Sequence, residues 1–249
     1  MKLALITAFG VGGATIFGVI LGFIFQKIPH SFNDIVLSFA AGVMLGAAVL
    51  GLILPSLEGG DVWITIAGIL VGAIALNFTD KLTPHLHKIT GVDQEEHNNK
   101  QSEINKVMLF VIAIAIHNLP EGLAAGVGFG SENVGNAITV ALGIALQNIP
   151  EGMIIVSPLI LAGVPKFRVF LIATFTGVIE IVGTMLGYGA VSLSKGILPF
   201  ALAFAGGCML YVISDEMIPE THSHGYERQA TYSLIIGFIL MVVMTWYLG

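Results

Sequence analysis

The sequence predicts an all-α integral membrane protein with eight transmembrane helices, and two observations carry that reading. Of 249 residues, 55% are hydrophobic and 10% charged, where a soluble domain carries about 25% charged residues. The apolar stretches also recur in pieces of about 20 residues, the length a helix needs to cross a bilayer. The lipid bilayer is therefore the expected solvent. One cysteine, Cys208, excludes a disulfide framework and a Cys-type zinc finger. A net charge of −6 argues against a nucleic-acid partner.

The expected spans are 3–25, 32–57, 62–79, 107–129, 134–162, 167–191, 197–219 and 230–248, within one domain of 1–249. The first opens like a signal peptide, but its apolar run reaches Phe25 without a small-residue cleavage site, so it reads as a span. The fifth is long enough to include a tilted or looped portion. Eight is even, which puts both termini on one side. Lys27, Lys81, Lys88, Lys100, Lys106, Lys166, Arg168 and Arg228 fall together, opposite Lys2 and Lys195. By the positive-inside rule the termini are outside, and compact loops suit a bacterial plasma (inner) membrane. The outer loops carry Glu58, Asp61 and Glu132, which would concentrate cations there. The cytoplasmic stretch 80–106 is polar and holds His85, His87 and His97. It reads either as a solvated linker or as a weak metal-holding segment.

Two internal echoes stand out. HNLPEG (117–122) in span 4 is matched by QNIPEG (147–152) in span 5, and LSFAAGVML (37–45) in span 2 by LAFAGGCML (202–210) in span 7. Both relate helices of opposite direction, the pattern of inverted repeats in secondary transporters.

Ionisable side chains at mid-membrane cost about 2.5–3.5 kcal/mol each on insertion scales. This chain places His117, Glu121, Glu151 and Glu180 inside spans, with Asp215 and Glu216 toward the end of span 7. No Lys or Arg lies at that depth to neutralise three glutamates, so protons, Na⁺ or a metal must do so. His117 and Glu121, four apart, share a helix face with Asn118 adjoining; Gln147, Asn148 and Glu151 repeat the arrangement. Pro120 and Pro150 each free a carbonyl, of Ile116 and Leu146, and should kink their helices. Gly122 and Gly152 would let neighbouring helices approach. One imidazole with three carboxylates and three amides suits a first-row divalent ion such as Zn²⁺, Fe²⁺ or Mn²⁺. One ion or a bridged pair, with Glu121 and Glu151 as bridges, both fit the charge.

The HNxPEG motif, its PEG partner and the glutamate of IEIVG resemble the ZIP (Zrt-/Irt-like) divalent metal transporters, in their bacterial GufA-like branch. The resemblance covers essentially the whole chain. It implies a 3+2+3 inverted-repeat arrangement and elevator-type uptake of Zn, Cd, Fe or Mn into the cytoplasm. By the same resemblance, His117, Glu121, Gln147 and Glu151 form one metal position. Asn118, Asn148 and Glu180, sharing Glu121 and Glu151, form a second. Met44 would add a thioether or else pack in the membrane. Glu58 would sit at the entrance, and Asp80, Asp215 and Glu216 near the exit. Gln147 stands where many family members have His, a stronger ligand for the first position, and Asn148 where some have Asp, which lowers the negative charge of the second. His222 and His224 of PETHSHG would receive released metal or be ordinary interfacial residues.

The expected protein is thus a carrier and not an enzyme. Its substrates are divalent ions, one or two bound at a time; it needs no catalytic cofactor, and a homodimer is left open. A proton- or sodium-coupled carrier of a small organic solute is the alternative. An intramembrane metallohydrolase is a weaker rival, since there is no H-E-x-x-H and only one mid-membrane histidine.

Overall fold

A computed structural model describes residues 2–25, 29–82, 100–129 and 133–249. Over these residues the chain is helical throughout, with no strand. We number the long helices α1 (Lys2–Ile24), α2 (30–59), α3 (Val62–Leu82), α4 (Lys100–Gly128), α5 (Val134–Leu161), α6 (Lys166–Leu193), α7 (Lys195–Thr221) and α8 (Glu227–Leu248). Among the described residues, seven are long and apolar enough to cross a bilayer; α4, which carries HNLPEG, is the eighth long helix. Lipid has no groups to satisfy an open backbone, so helices are the economical answer to so apolar a chain.

Some boundaries differ from expectation. Helix α4 begins at Lys100, seven residues before its expected span, and α3 continues through Leu82. The segment KQSEINK is rich in good helix formers and can extend α4 beyond the bilayer into water. The remainder of 80–106, with His85, His87 and His97, lies outside the described residues, as do Lys27 and Glu132. Helices α4 and α5 run continuously through Pro120 and Pro150. The irregular backbone lies elsewhere: π turns at Ala47–Ile53 in α2 and Ile213–Met217 in α7. Each begins two or three residues after the end of its echo segment. A π turn is one residue of slack in the hydrogen-bond ladder, and nothing in the residue types announces it.

The helices pack as two blocks. Helix α1 lies against α5 and α6, and α4 against α6; separately, α2 lies against α8 and α3 against α7. The first block is therefore α1, α4, α5 and α6, and the second α2, α3, α7 and α8. Within each block, helices meet at backbone contact. A Cβ at Gly18 would stand 2.2 Å from the Ile149 carbonyl oxygen, and one at Gly42 1.9 Å from that of Leu234. The contacts recur 165 positions later, where Gly183 meets the Leu119 carbonyl and Gly207 that of Ile69. Small residues at such crossings let van der Waals packing replace the hydrophobic drive that lipid cannot supply. Trp63 opens α3 and Trp246 nearly closes α8, 73% and 83% exposed, as suits aromatic rings at a membrane interface.

Candidate metal centre

The first block assembles the polar centre. Helix α4 brings Asn118 and Glu121, each almost fully buried, and His117, nearly so. Helix α5 brings Gln147 and Asn148, also buried, and the partly exposed Glu151. Helix α6 brings Glu180, with no exposure at all. Pro120 and Pro150 precede two of the acids, and the glycines that follow allow the helices to close. A Cβ at Gly122 would lie 2.2 Å from the Glu180 carbonyl oxygen, and one at Gly152 2.2 Å from that of Thr15.

Glu180 is held from two sides. Thr15 Oγ1 donates to its Oε2 at 3.0 Å, and Asn148 Nδ2 donates to its Oε1 in a short hydrogen bond. The same Asn148 nitrogen also reaches the Val11 carbonyl at 3.2 Å. Glu121 lies against Gln147, yet its Oε2 and both polar atoms of Gln147 lack a well-formed hydrogen bond among the described residues. The carboxyls of Glu121, Glu151 and Glu180 are within electrostatic reach of one another. Lys166 and Arg168 are exposed at the start of α6 and do not enter this centre.

Glu216 joins the centre from the second block. Its Oε1 lies 2.9 Å from His117 Nε2, an ion-pair distance. That oxygen has no well-formed hydrogen bond among the described residues. Glu216 is also within electrostatic reach of Glu151. Among the described residues, no group of three or more His, Cys, Asp or Glu is drawn together as a finished metal cage. Glu180 is turned toward Thr15 and Asn148, and His117 toward Glu216. The unsatisfied oxygens of Glu121 and Asn118 and the free amide of Gln147 are donors a cation would engage.

The other expected residues scatter. Met44 is buried in the main apolar cluster, three residues before the π turn of α2. Glu58 ends α2 on the wall of an open cavity of about 690 Å³, shared with Asn136, Lys195 and Thr245. Asp80 lies in the last turns of α3, its side chain outside the described set. Asp215 occupies the π turn of α7 beside Glu216. His222 is used by its own surroundings: Nδ1 contacts the Ile218 carbonyl at 2.9 Å and Nε2 meets Thr231 Oγ1 at 3.0 Å. His224 Nδ1 pairs instead with Asp34 Oδ1 at 3.1 Å. Sequence reasoning passed over Thr15, Asn136 and Asp34. Asp34 carried a usable signal, since it is an acid within the expected second span. Thr15 carried one only through its place 165 positions before Glu180.

Buried acids brought in by several helices of a bundle with seven span-capable helices among the described residues define the class: a multi-pass integral membrane protein. Residues 87–245 match the family model described as ZIP Zinc transporter. The chain is 45% identical to the zinc transporter GufA of Myxococcus xanthus over 74% of its length and 70% of that protein's. It is 35% identical to the zinc transporter ZIPB of Bordetella bronchiseptica, covering 95% and 78% of the two chains. With the zinc transporter ZupT of Chlorobaculum parvum it shares 30% identity over 93% and 92%. The chain belongs to the ZIP family of zinc transporters.

Proposed function

We propose that this protein carries divalent transition-metal ions toward the cytoplasm, with Zn²⁺ first and Cd²⁺, Fe²⁺ and Mn²⁺ as further candidates. The observation that carries the reading is the convergence of Glu121, Glu151 and Glu180 from three helices, away from any Lys or Arg among the described residues. Three carboxylates with His117 and the amides of Asn118, Gln147 and Asn148 form a donor set for one or two borderline ions. Relatives named as zinc transporters support zinc as cargo. The distribution of Lys and Arg supports both termini outside, and the compact loops suit a bacterial plasma membrane.

Movement is by an elevator: the block α1, α4, α5 and α6 slides with its ions against α2, α3, α7 and α8. What supports this is the contrast in packing. Inside each block, most of the closely packed glycines seat on neighbouring backbone, although Gly46 meets the Met241 side chain and Gly206 that of Ile53. Across the boundary, Gly51 meets the Val140 side chain and Gly143 the Met241 side chain, although Gly135 does meet the Leu248 carbonyl at one end. Exchanging α1 with α6, α2 with α7, α3 with α8 and α4 with α5 maps the main packing pairs onto themselves, which favours the 3+2+3 inverted repeat.

The test is metal uptake into proteoliposomes, comparing Zn²⁺, Cd²⁺, Fe²⁺ and Mn²⁺. Flux should vanish in Glu121→Ala/Glu151→Ala while the protein stays folded in the membrane. Wild-type flux in that double variant would sink the site assignment.

A further inference from the structure

A polar contact bridges the two blocks at each π turn. At the turn of α7, His117 of α4 meets Glu216. At the turn of α2, Asn136 of α5 donates from Nδ2 to the Gly51 carbonyl at 3.0 Å, and this bond is buried. The two anchors are equivalent positions: Gly51 and Glu216 lie 165 apart, the same interval that separates Gly18 from Gly183 and Gly42 from Gly207. The helices that reach them, α4 and α5, are the two PEG helices. One contact thus touches the metal centre, and its counterpart does not. Asn136 precedes Gln147 by eleven residues, about 16 Å along the helix.

We propose that Asn136 is a positioning residue for transport. Its hydrogen bond latches the ion-bearing block onto the π turn of α2 and sets how much of the protein rests in this arrangement. The inference rests on the elevator reading above. The physical ground is differential contact. Each block holds its internal contacts when it slides, but the bond from Asn136 to Gly51 exists in one register only. A contact present in one of two states biases their populations by its net strength. The π turn suits the task because its loosened ladder leaves a carbonyl open to a donor from outside the helix. The seat is close: a Cβ at Gly51 would stand 2.2 Å from Val140 Cγ2 of α5. Gly51 therefore presents bare backbone where Glu216 presents a side chain, and the partner is an amide donor instead of an imidazole.

The test is pulsed electron spin resonance between nitroxides at Phe175→Cys on α6 and Ile74→Cys on α3, both exposed positions in different blocks. The native Cys208 is buried. A second pair, Ile74→Cys with Ile239→Cys, lies within one block and reports an intact fold. Full-length protein in proteoliposomes is measured without metal and with Zn²⁺. We expect two distances for the first pair. Asn136→Leu, which keeps the volume and removes the donor, should change their ratio about two- to tenfold, the range for one net hydrogen bond. Asn136→Ser serves if the leucine variant disturbs the within-block pair. In uptake, Asn136→Leu should change the maximal rate, while the KM for Zn²⁺ changes by no more than the measured shift in the distance ratio, because no ligand is touched. Two distances whose ratio ignores both variants would overturn the latch and leave the elevator standing. A single distance under every condition would remove the elevator and the latch with it.

Discussion

Thr15 of α1 donates a hydrogen bond to Glu180 of α6, Oγ1 to Oε2 at 3.0 Å, both groups fully buried. The two residues are 165 apart and face each other across the helix pair in which Gly12 meets Gly177. Two positions 165 apart therefore supply an acid and a hydroxyl, so the pair aims the carboxylate without adding charge. Thr15→Val keeps the shape and deletes the donor. We expect the KM for Zn²⁺ to rise by about three- to tenfold, since a hydrogen bond contributes about 0.5–1.5 kcal/mol net and Asn148 remains to hold the other oxygen. Uptake as a function of Zn²⁺ concentration measures it, and an unchanged KM would remove Thr15 from the centre.

Gly122 and Gly152 are seated on the backbone of their neighbours, so Gly122→Ala and Gly152→Ala must push helices apart. Overpacking of this kind costs about 1–3 kcal/mol. Thermal unfolding in detergent should show each variant less stable than the parent. Gly10→Ala is the control, because its Cβ meets nothing within 4 Å. Equal melting of all three would contradict the close approach.

Asp34 is buried at the start of α2 and ties to His224 in the segment between α7 and α8. Ser38 with Thr221, and Ser233 with the Ile35 carbonyl, stitch the same three helices. Asp34→Leu and His224→Ala should each lower stability, by about 1–3 kcal/mol where a buried partner is left unpaired. Because they break one contact, the double variant should lose less than the sum of the two. Strict additivity in a denaturation series would show that the pair does not interact.

Proton competition gives a direction with pH. Metal binds deprotonated carboxylates, so acid removes ligands from the centre and uptake should fall as the medium is acidified. The effect should appear chiefly as a rise in KM. Initial rates of Zn²⁺ uptake across a pH series at matched ionic strength provide the measurement; a KM insensitive to acid would count against carboxylate ligation.

Much of this protein was legible in the chain. Composition and span length set the class, because bilayer hydrocarbon penalises every unsatisfied backbone group in the same way whatever the neighbours. The two PEG motifs marked α4 and α5, and the absence of any mid-membrane Lys or Arg singled out Glu121, Glu151 and Glu180, which the fold brings within electrostatic reach of one another. The echo of span 2 in span 7 located the helices that go on to carry π turns, without showing the turns. Those are a matter of backbone register, which residue types encode weakly.

The sequence by itself determined the all-helical membrane class, the family motifs and the residue types of the candidate site, since these depend on residue identity and local period. Only the tertiary structure decided which groups meet: Thr15 with Glu180, Asn136 with Gly51, and Glu216 with His117 instead of alone near an exit. Contacts between residues 85 to 165 positions apart depend on which helices lie side by side and in what register. That register is settled by glycines seated on distant backbone, such as Gly122 on Glu180 and Gly152 on Thr15, and a glycine in the chain does not say whose carbonyl it will meet.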